Sequence, residues 1–218
     1  MCFSAEASFA TAILLGVIGT VTIKKASSSA KFFLAAIPLL FAVQQFSEGL
    51  VWLHLSYHIG SNLFFLNAQR AFLTFAFLIW PIWIPFAFAW IEPVTWRRYL
   101  LFINLYGGLA LSLINLSYAA KEPITVQVIH HSLQYLGHIP KQSLLYPLIV
   151  LLPMFLSSLK NVWIFGILVV IGYLIADYFY RTTVVSVWCF FAAIVSLFVY
   201  KILKDNFYPL EEKKSLER

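Results

Sequence analysis

Apolar residues run through this chain in long blocks, neither at alternate positions nor along a single helical stripe. From Ala71 to Trp90 a helix drawn through the segment is apolar on every side. A helix crossing the roughly 30 Å hydrocarbon core of a bilayer needs about 20 mostly apolar residues. Seven stretches meet or approach that length: about 5–23, 33–57, 67–90, 99–118, 144–159, 162–180 and 183–203. The fifth is short and ends near Pro153 and Ser157-Ser158, which predicts a tilted or irregular segment. A transmembrane barrel is excluded, because its strands of about 10 residues alternate apolar and polar positions. The pattern therefore predicts an all-α integral membrane bundle of seven transmembrane helices. They form one domain over 1–205, followed by a charged cytoplasmic tail, 206–218. The long connection 119–143 reads as an outer loop.

Composition narrows the class further. The 218 residues are 61% hydrophobic and 11% charged, with a mean hydropathy of +0.85. A soluble domain carries about 25% charged residues, so a water-soluble enzyme, a disordered chain and a nucleic-acid partner are all excluded. The net charge of +6 comes from basic residues placed between the apolar blocks, where Lys and Arg mark the cytoplasmic side. Lys24, Lys25, Lys31, Arg97, Arg98, Lys160, Lys201, Lys204, Lys213, Lys214 and Arg218 fall on one side. Arg70, Lys121, Lys141 and Arg181 fall on the other. The bias predicts an outside N-terminus and a cytoplasmic C-terminus in a multi-pass protein of the cell membrane, most simply a bacterial inner membrane. Glu6 precedes the first apolar block and the lysines follow it, the reverse of a cleaved signal peptide. Cys2 stands where myristoylation needs glycine.

Small residues recur at three- and four-residue spacing, the pattern by which helices approach one another in lipid. Ala5, Ser8, Ala12, Gly16 and Thr20 form one such stripe. Gly108, Ser112 and Asn115 form a second, and Ser186, Cys189, Ala193 and Ser196 a third. Pro81 and Pro85 each remove a backbone donor and should kink the third span.

Charge inside the bilayer is costly, about 2.5–3.5 kcal/mol on insertion scales, and so points to function. Glu48, Asp177, Arg70 and Glu6 all fall in the outer half of their spans. Gln44, Glu48 and Trp52 follow i, i+4, i+8, with Gln45 beside them, so they share one helix face. This predicts a polar pocket that opens outward. Glu48 would form its floor and Gln44, Gln45, Trp52, Arg70, Asp177 and Arg181 its lining. The alternative is a structural hydrogen bond from Glu48 to a neighbouring helix. Tyr173, Asp177 and Arg181 repeat the i, i+4, i+8 spacing, at which Asp and Arg pair locally. Arg70 snorkels to headgroups by default.

The two cysteines allow three readings. Cys2 and Cys189 can take a soft or borderline metal such as zinc or copper, with His54 as a third ligand. They can form a disulfide on the outer face, or Cys189 can be a packing residue in its stripe. His54 and His58 sit at i, i+4, while His130, His131 and His138 lie in the outer loop. No HExxH pattern sharpens a metal site.

The segments Met1-Cys2-Phe3-Ser4-Ala5, Gln44-Gln45-x-x-Glu48, Glu92-Pro93 and Ser186-x-Trp188-Cys189-Phe190-Phe191-Ala192-Ala193 resemble an uncharacterised family of bacterial multi-span membrane proteins. The resemblance covers nearly the whole chain. It lends weight to Cys2, Gln45, Glu48 and Cys189 without naming their chemistry. It also implies a histidine where Gln44 stands here, a departure that argues against a metal ligand at that position. Better-known seven-span groups do not fit. A retinal protein needs a lysine in mid-span, and Lys201 lies at the end of its span. A ceramidase-like hydrolase needs histidines on the last span, which has none, and a diheme cytochrome needs them inside two spans.

Three functions follow as expectations. The first is binding of a small polar ligand, a lipid headgroup or an ion, in a receptor, sensor or carrier role. Asn104 is the one strong polar residue of the inner half, which argues against an alternating-access pump. The second is a metal-assisted membrane hydrolase acting on a lipid-like ester or amide, with Glu48 as the catalytic base. The third is a structural membrane subunit without a ligand.

Overall fold

A computed structural model describes residues 4–26, 28–119, 124–136 and 144–206. The expectations on Cys2, Lys121, His138, Lys141 and the tail beyond Asn206 lie outside these residues. The chain is mostly helical: α1 Ala5–Lys24, α2 Ser29–Ala35, α3 Ile37–Tyr57, α4 Asn62–Thr74, α5 Trp80–Ile91, α6 Thr95–Ala119, α7 Leu145–Leu156, α8 Val162–Phe179 and α9 Val184–Val195. A π-turn, Phe75–Ile79, joins α4 to α5. Six helical segments are long and apolar enough to cross a membrane: Ala5–Lys24, Ser29–Tyr57, Asn62–Ile91, Thr95–Tyr118, Val162–Phe179 and Val184–Asn206.

Local chemistry sets the helix ends. The side chains of Ser4, Ser28 and Ser61 accept from backbone N–H groups at the starts of α1, α2 and α4, as N-caps do. α3 stops at His58, whose φ of 56° puts it in the left-handed region. Asn206, placed at the head of the tail by the sequence, is helical, as are the described residues just before it. It ties the helix to Lys160 by accepting from its N–H (2.8 Å) and donating to its carbonyl (3.0 Å).

α1 lies antiparallel to α3. Phe9 covers Gly49, Gly16 faces Ala42, and Gly19 is so close to Leu39 that a Cβ there would sit 2.7 Å from its backbone nitrogen. The buried set on α1 is Ala5, Ser8, Ala12, Leu15, Gly19 and Thr22. The small stripe read from the sequence therefore drifts off the contact face by Thr20, which is exposed. Repeated steps of four outrun a 3.6-residue turn. In α9 the stripe Ser186, Cys189, Ala193 and Ser196 is buried throughout.

The fifth predicted span is not a full crossing helix. α7 has 12 residues, about 18 Å at 1.5 Å per residue. Tyr146, near its start, donates to the carbonyl of Ala76 in the middle of the long Asn62–Ile91 helix. α7 thus starts at mid-bundle and runs only toward the end where Glu92 lies. On the other side the expected loop contains an antiparallel hairpin, β1 Thr125–Ile129 and β2 Ser132–Leu136, in register Val126 to Tyr135 and Val128 to Leu133. Its turn is His130-His131, both at positive φ (45° and 57°), the backbone of a tight two-residue hairpin. Leu133 and Tyr135 pack with Val51, Trp52, Ala68, Phe72 and Cys189, and Tyr135 stacks on Phe72. We call the side of the bundle on which the hairpin lies the hairpin end, and the opposite side the Glu92 end.

Prolines inside apolar helices leave carbonyls without a partner four residues upstream. In hydrocarbon each costs several kcal/mol unless something else donates. α6 supplies the donors. Pro81 orphans the carbonyl of Phe77, and Asn115 donates to it at 3.0 Å. Pro153 orphans that of Ile149, and Asn104 donates to it at 2.9 Å. Ser112 reaches Leu78 in the π-turn at 3.1 Å. Pro85 orphans the carbonyl of Pro81, and Gly108 lies so close that a Cβ would come within 1.8 Å of that oxygen. The α6 stripe is therefore a rail fitted to the prolines of α5 and α7. Asn104→Leu should cost about 1–3 kcal/mol. Pro153→Ala, which returns an N–H to Ile149, should recover most of that loss. Thermal unfolding of the two single variants and the double variant measures the coupling, and additive losses would count against it.

Candidate functional site

The polar residues of α3 lie on its buried face. Gln44, Gln45 and Glu48 are each 0% exposed and Trp52 is 3% exposed. The i, i+4, i+8 spacing carries them toward α1, α5 and α9. Glu48 accepts from neutral donors on both carboxylate oxygens: Ser186 Oγ of α9 on Oε1, and Gln45 Nε2 on Oε2 at 3.3 Å. Gln44 Oε1 accepts from Trp80 Nε1 of α5 at 2.7 Å, and Trp80 stacks on Phe41. The thiol of Cys189 lies close enough to Glu48 and to the Gln44 amide for both to act on it. One carboxyl is thus gripped from two helices and flanked by two amides and a thiol.

Around it, buried polar atoms lack partners: Ser8 Oγ, Gln44 Nε2, Gln45 Oε1, Trp52 Nε1 and Trp188 Nε1. Ser8 is 0% exposed. It precedes Phe9, whose ring covers Gly49, the residue after Glu48 on α3. In hydrocarbon such groups are expensive.

The expected outward opening is not what the structure shows. Trp52, Leu133, Tyr135 and Phe72 form an apolar layer between Glu48 and the hairpin-end surface. Gln69 anchors that layer by donating to the carbonyl of Ile124. An apolar cavity of about 30 Å³ lies on the opposite side, lined by Phe41, Trp80, Tyr146, Met154, Trp188 and Cys189 among others. An apolar cavity that takes up benzene measures about 150 Å³, so this one is too small for a lipid tail.

The other expected lining residues are not gathered with Glu48. Arg70, Asp177 and Arg181 are exposed. Arg70 follows Gln69 by one position and points away from the face that Gln69 occupies. Of the expected metal set, Cys2 lies outside the described residues. Among the described residues no three His, Cys, Asp or Glu side chains lie together. His54 stacks on Phe65 with Nδ1 3.3 Å from the carbonyl of Ile59. His58 has left the helix, so the i, i+4 pair has no common face. Cys189 is a free, buried thiol, and no disulfide holds it.

The sequence reading gave Glu92 no role. It is 0% exposed and accepts from Val94 N (3.2 Å), Ser157 Oγ (3.1 Å), Ser158 N (2.8 Å) and Ser158 Oγ. Arg98 donates twice to its carbonyl, and Arg97 donates to that of Leu156 (3.2 Å). This fully satisfied latch closes the α5–α6 turn onto the end of α7. The signal available was an acid beside a proline at a span end, matched by the Ser157-Ser158 pair.

The bundle is that of a helical protein fitted to a membrane, with one buried carboxyl at its centre. The chain matches the model of a family of unknown function, DUF6629, over residues 1–213 and belongs to that family. No curated protein and no solved structure matches it.

Burial also fixes how the thiol behaves. In a Cys2→Ser background, Cys189 should react with a membrane-impermeant maleimide at least about tenfold more slowly in the folded protein than in SDS. Equal rates would place it at an open surface.

Proposed function

We propose that this chain is a multi-pass protein of the cell membrane that binds a small polar ligand or ion at Glu48, in a receptor, sensor or carrier role. The observation behind this reading is the company Glu48 keeps. A structural peg would be surrounded by satisfied groups, as Glu92 is. Glu48 instead sits among unpaired atoms of Ser8, Gln44, Gln45 and Trp52. Binding sites give up stability in this way, because their polar groups are arranged for an occupant. The apolar layer beneath the hairpin supports an occluded site in place of an open one. The structural-subunit reading is the competitor, and stability decides between them. Glu48→Gln keeps the size, and its amide can accept from Ser186 and, with the Gln45 amide turned, donate to Gln45 Oε1. It should leave the thermal midpoint of ligand-free protein unchanged or raise it. A fall of about 5 °C or more, roughly 2 kcal/mol for a chain of this size, would make Glu48 a structural peg.

We also propose that α7 and the hairpin together complete a seventh crossing. The helix spans the Glu92 half of the bundle, and the hairpin packs over the other end. With the bias of basic residues, this puts the N-terminus and the hairpin end outside and the C-terminus in the cytoplasm, most simply of a bacterial inner membrane. Ser56→Cys and Thr95→Cys lie at exposed positions on opposite ends. In intact cells an impermeant thiol reagent should label the first and spare the second. The opposite result inverts the topology, and labelling of both at one face removes a crossing between them.

A further inference from the structure

We infer that Lys25, Tyr200 and Lys204 form a seat for the phosphate of an anionic phospholipid at the Glu92 end of the bundle. The site stands apart from the Glu48 cluster and does not rest on it. Lys25 caps the C-terminal end of α1. Tyr200 and Lys204 lie one helical turn apart in the last apolar segment, Val184–Asn206. The Lys25 ammonium reaches across to that segment and donates to Tyr200 Oη at 2.8 Å. The Lys204 ammonium is close enough to act on the same hydroxyl. Both lysines are exposed.

Three arguments select the occupant. The first is charge. Among the described residues no carboxylate pairs with either lysine. The acids described at this end are engaged elsewhere: Glu92 by Val94, Ser157 and Ser158, and Asp205 by Asn161 at 2.8 Å. Two uncompensated ammonium groups beside one phenol call for an anion. The second is hydrogen bonding. Tyr200 accepts from Lys25, so its own O–H stays available, and each ammonium keeps N–H groups to spare. Charged and neutral donors meeting at one oxygen suit the several acceptor oxygens of a phosphate. Lys201 turns instead to the ring of Phe198, 5.4 Å from its centroid, and stays outside the seat. The third is position. Val17, Val21 and Lys25 follow i, i+4, i+8 on α1, and the two valines are 60% and 44% exposed. An apolar track therefore leads from the ammonium along the helix, where the acyl chains of a lipid would lie and where a free anion has nothing to contact. Basic sites between helix ends take anionic lipid headgroups in this way. A zwitterionic headgroup would set its own cation against Lys24, which is exposed beside Lys25.

The test uses the full chain in detergent with equimolar phosphatidylglycerol and phosphatidylcholine, and native mass spectrometry reads the first lipid retained. Phosphatidylglycerol should be preferred at least about tenfold. Lys25→Gln should weaken its binding about fivefold, and Lys204→Gln, which leaves the Lys25–Tyr200 bond untouched, should do the same. Tyr200→Phe keeps every charge and the ring, and should still weaken binding at least about fivefold. Lys160→Gln, which removes an exposed charge at the same end, should change nothing. Equal retention of the two lipids overturns the inference. So does wild-type binding by Tyr200→Phe, since the lysines then attract anionic lipid without a seat. A loss in Lys160→Gln as large as that in Lys25→Gln has the same meaning. Displacement of the lipid by inorganic phosphate at matched ionic strength would make the occupant a free anion and overturn the lipid assignment.

Discussion

In hydrocarbon a backbone carbonyl without a donor has no water to fall back on, and this constraint shapes the bundle more than any apolar contact does. Three interior prolines break the ladders of α5 and α7. Each break is answered on α6, by Asn115, by Asn104 or by the close approach of Gly108. α6 can answer all three because its small and amide residues recur on one face at helical spacing. The prolines and the rail are one device. The π-turn Phe75–Ile79 belongs to it, since it frees the carbonyls that Ser112 and Tyr146 take up.

The same constraint divides the molecule. Toward the Glu92 end the polar groups are paired: Asn104 with its carbonyl, Glu92 with four donors, and Arg97 and Arg98 with backbone oxygens. Toward the hairpin end Ser8, Gln45, Trp52, Gln69 Oε1 and Ser132 keep buried atoms without partners. An apolar environment penalises both halves equally for unmet hydrogen bonds. On the reading proposed above, one half holds the helices together and the other carries residues suited to an occupant.

Much of the bundle was legible because a membrane span is a composition before it is a contact. Blocks of apolar residues located, to within a few residues at most ends, the six helical segments long and apolar enough to cross a membrane. α7 was harder, since Leu145–Leu156 is as apolar as a full span and only its length, cut by Pro153 and Ser157, marks it as partial. The hairpin was not legible at all. Its strands are short, one face stays exposed, and its turn uses two histidines where Asn-Gly would have signalled the bend. At the site, the α3 spacing identified Gln44, Gln45, Glu48 and Trp52 because a helix face is a local property. Arg70, Asp177 and Arg181 were grouped with them on depth alone. Depth says nothing about azimuth, and these side chains leave their helices in other directions. Ser186 was placed in a packing stripe with no hint that it reaches Glu48, a bond made across 138 positions of chain.

Donor chemistry separates the two fully buried carboxyls of the bundle. Glu48 and Glu92 are equally inaccessible, so burial cannot distinguish a latch from a site. Their donors do. Glu92 takes two of its four from the backbone, at the turns it joins, so its geometry is fixed by the fold itself. Glu48 takes both of its donors from side chains, one amide and one hydroxyl, each with a soft torsion. Those groups can turn as a charge arrives or leaves without moving a helix. A carboxyl held only by rotatable groups, under an apolar cap and beside unpaired oxygens, can exchange an occupant at low conformational cost, and a backbone-clamped one cannot.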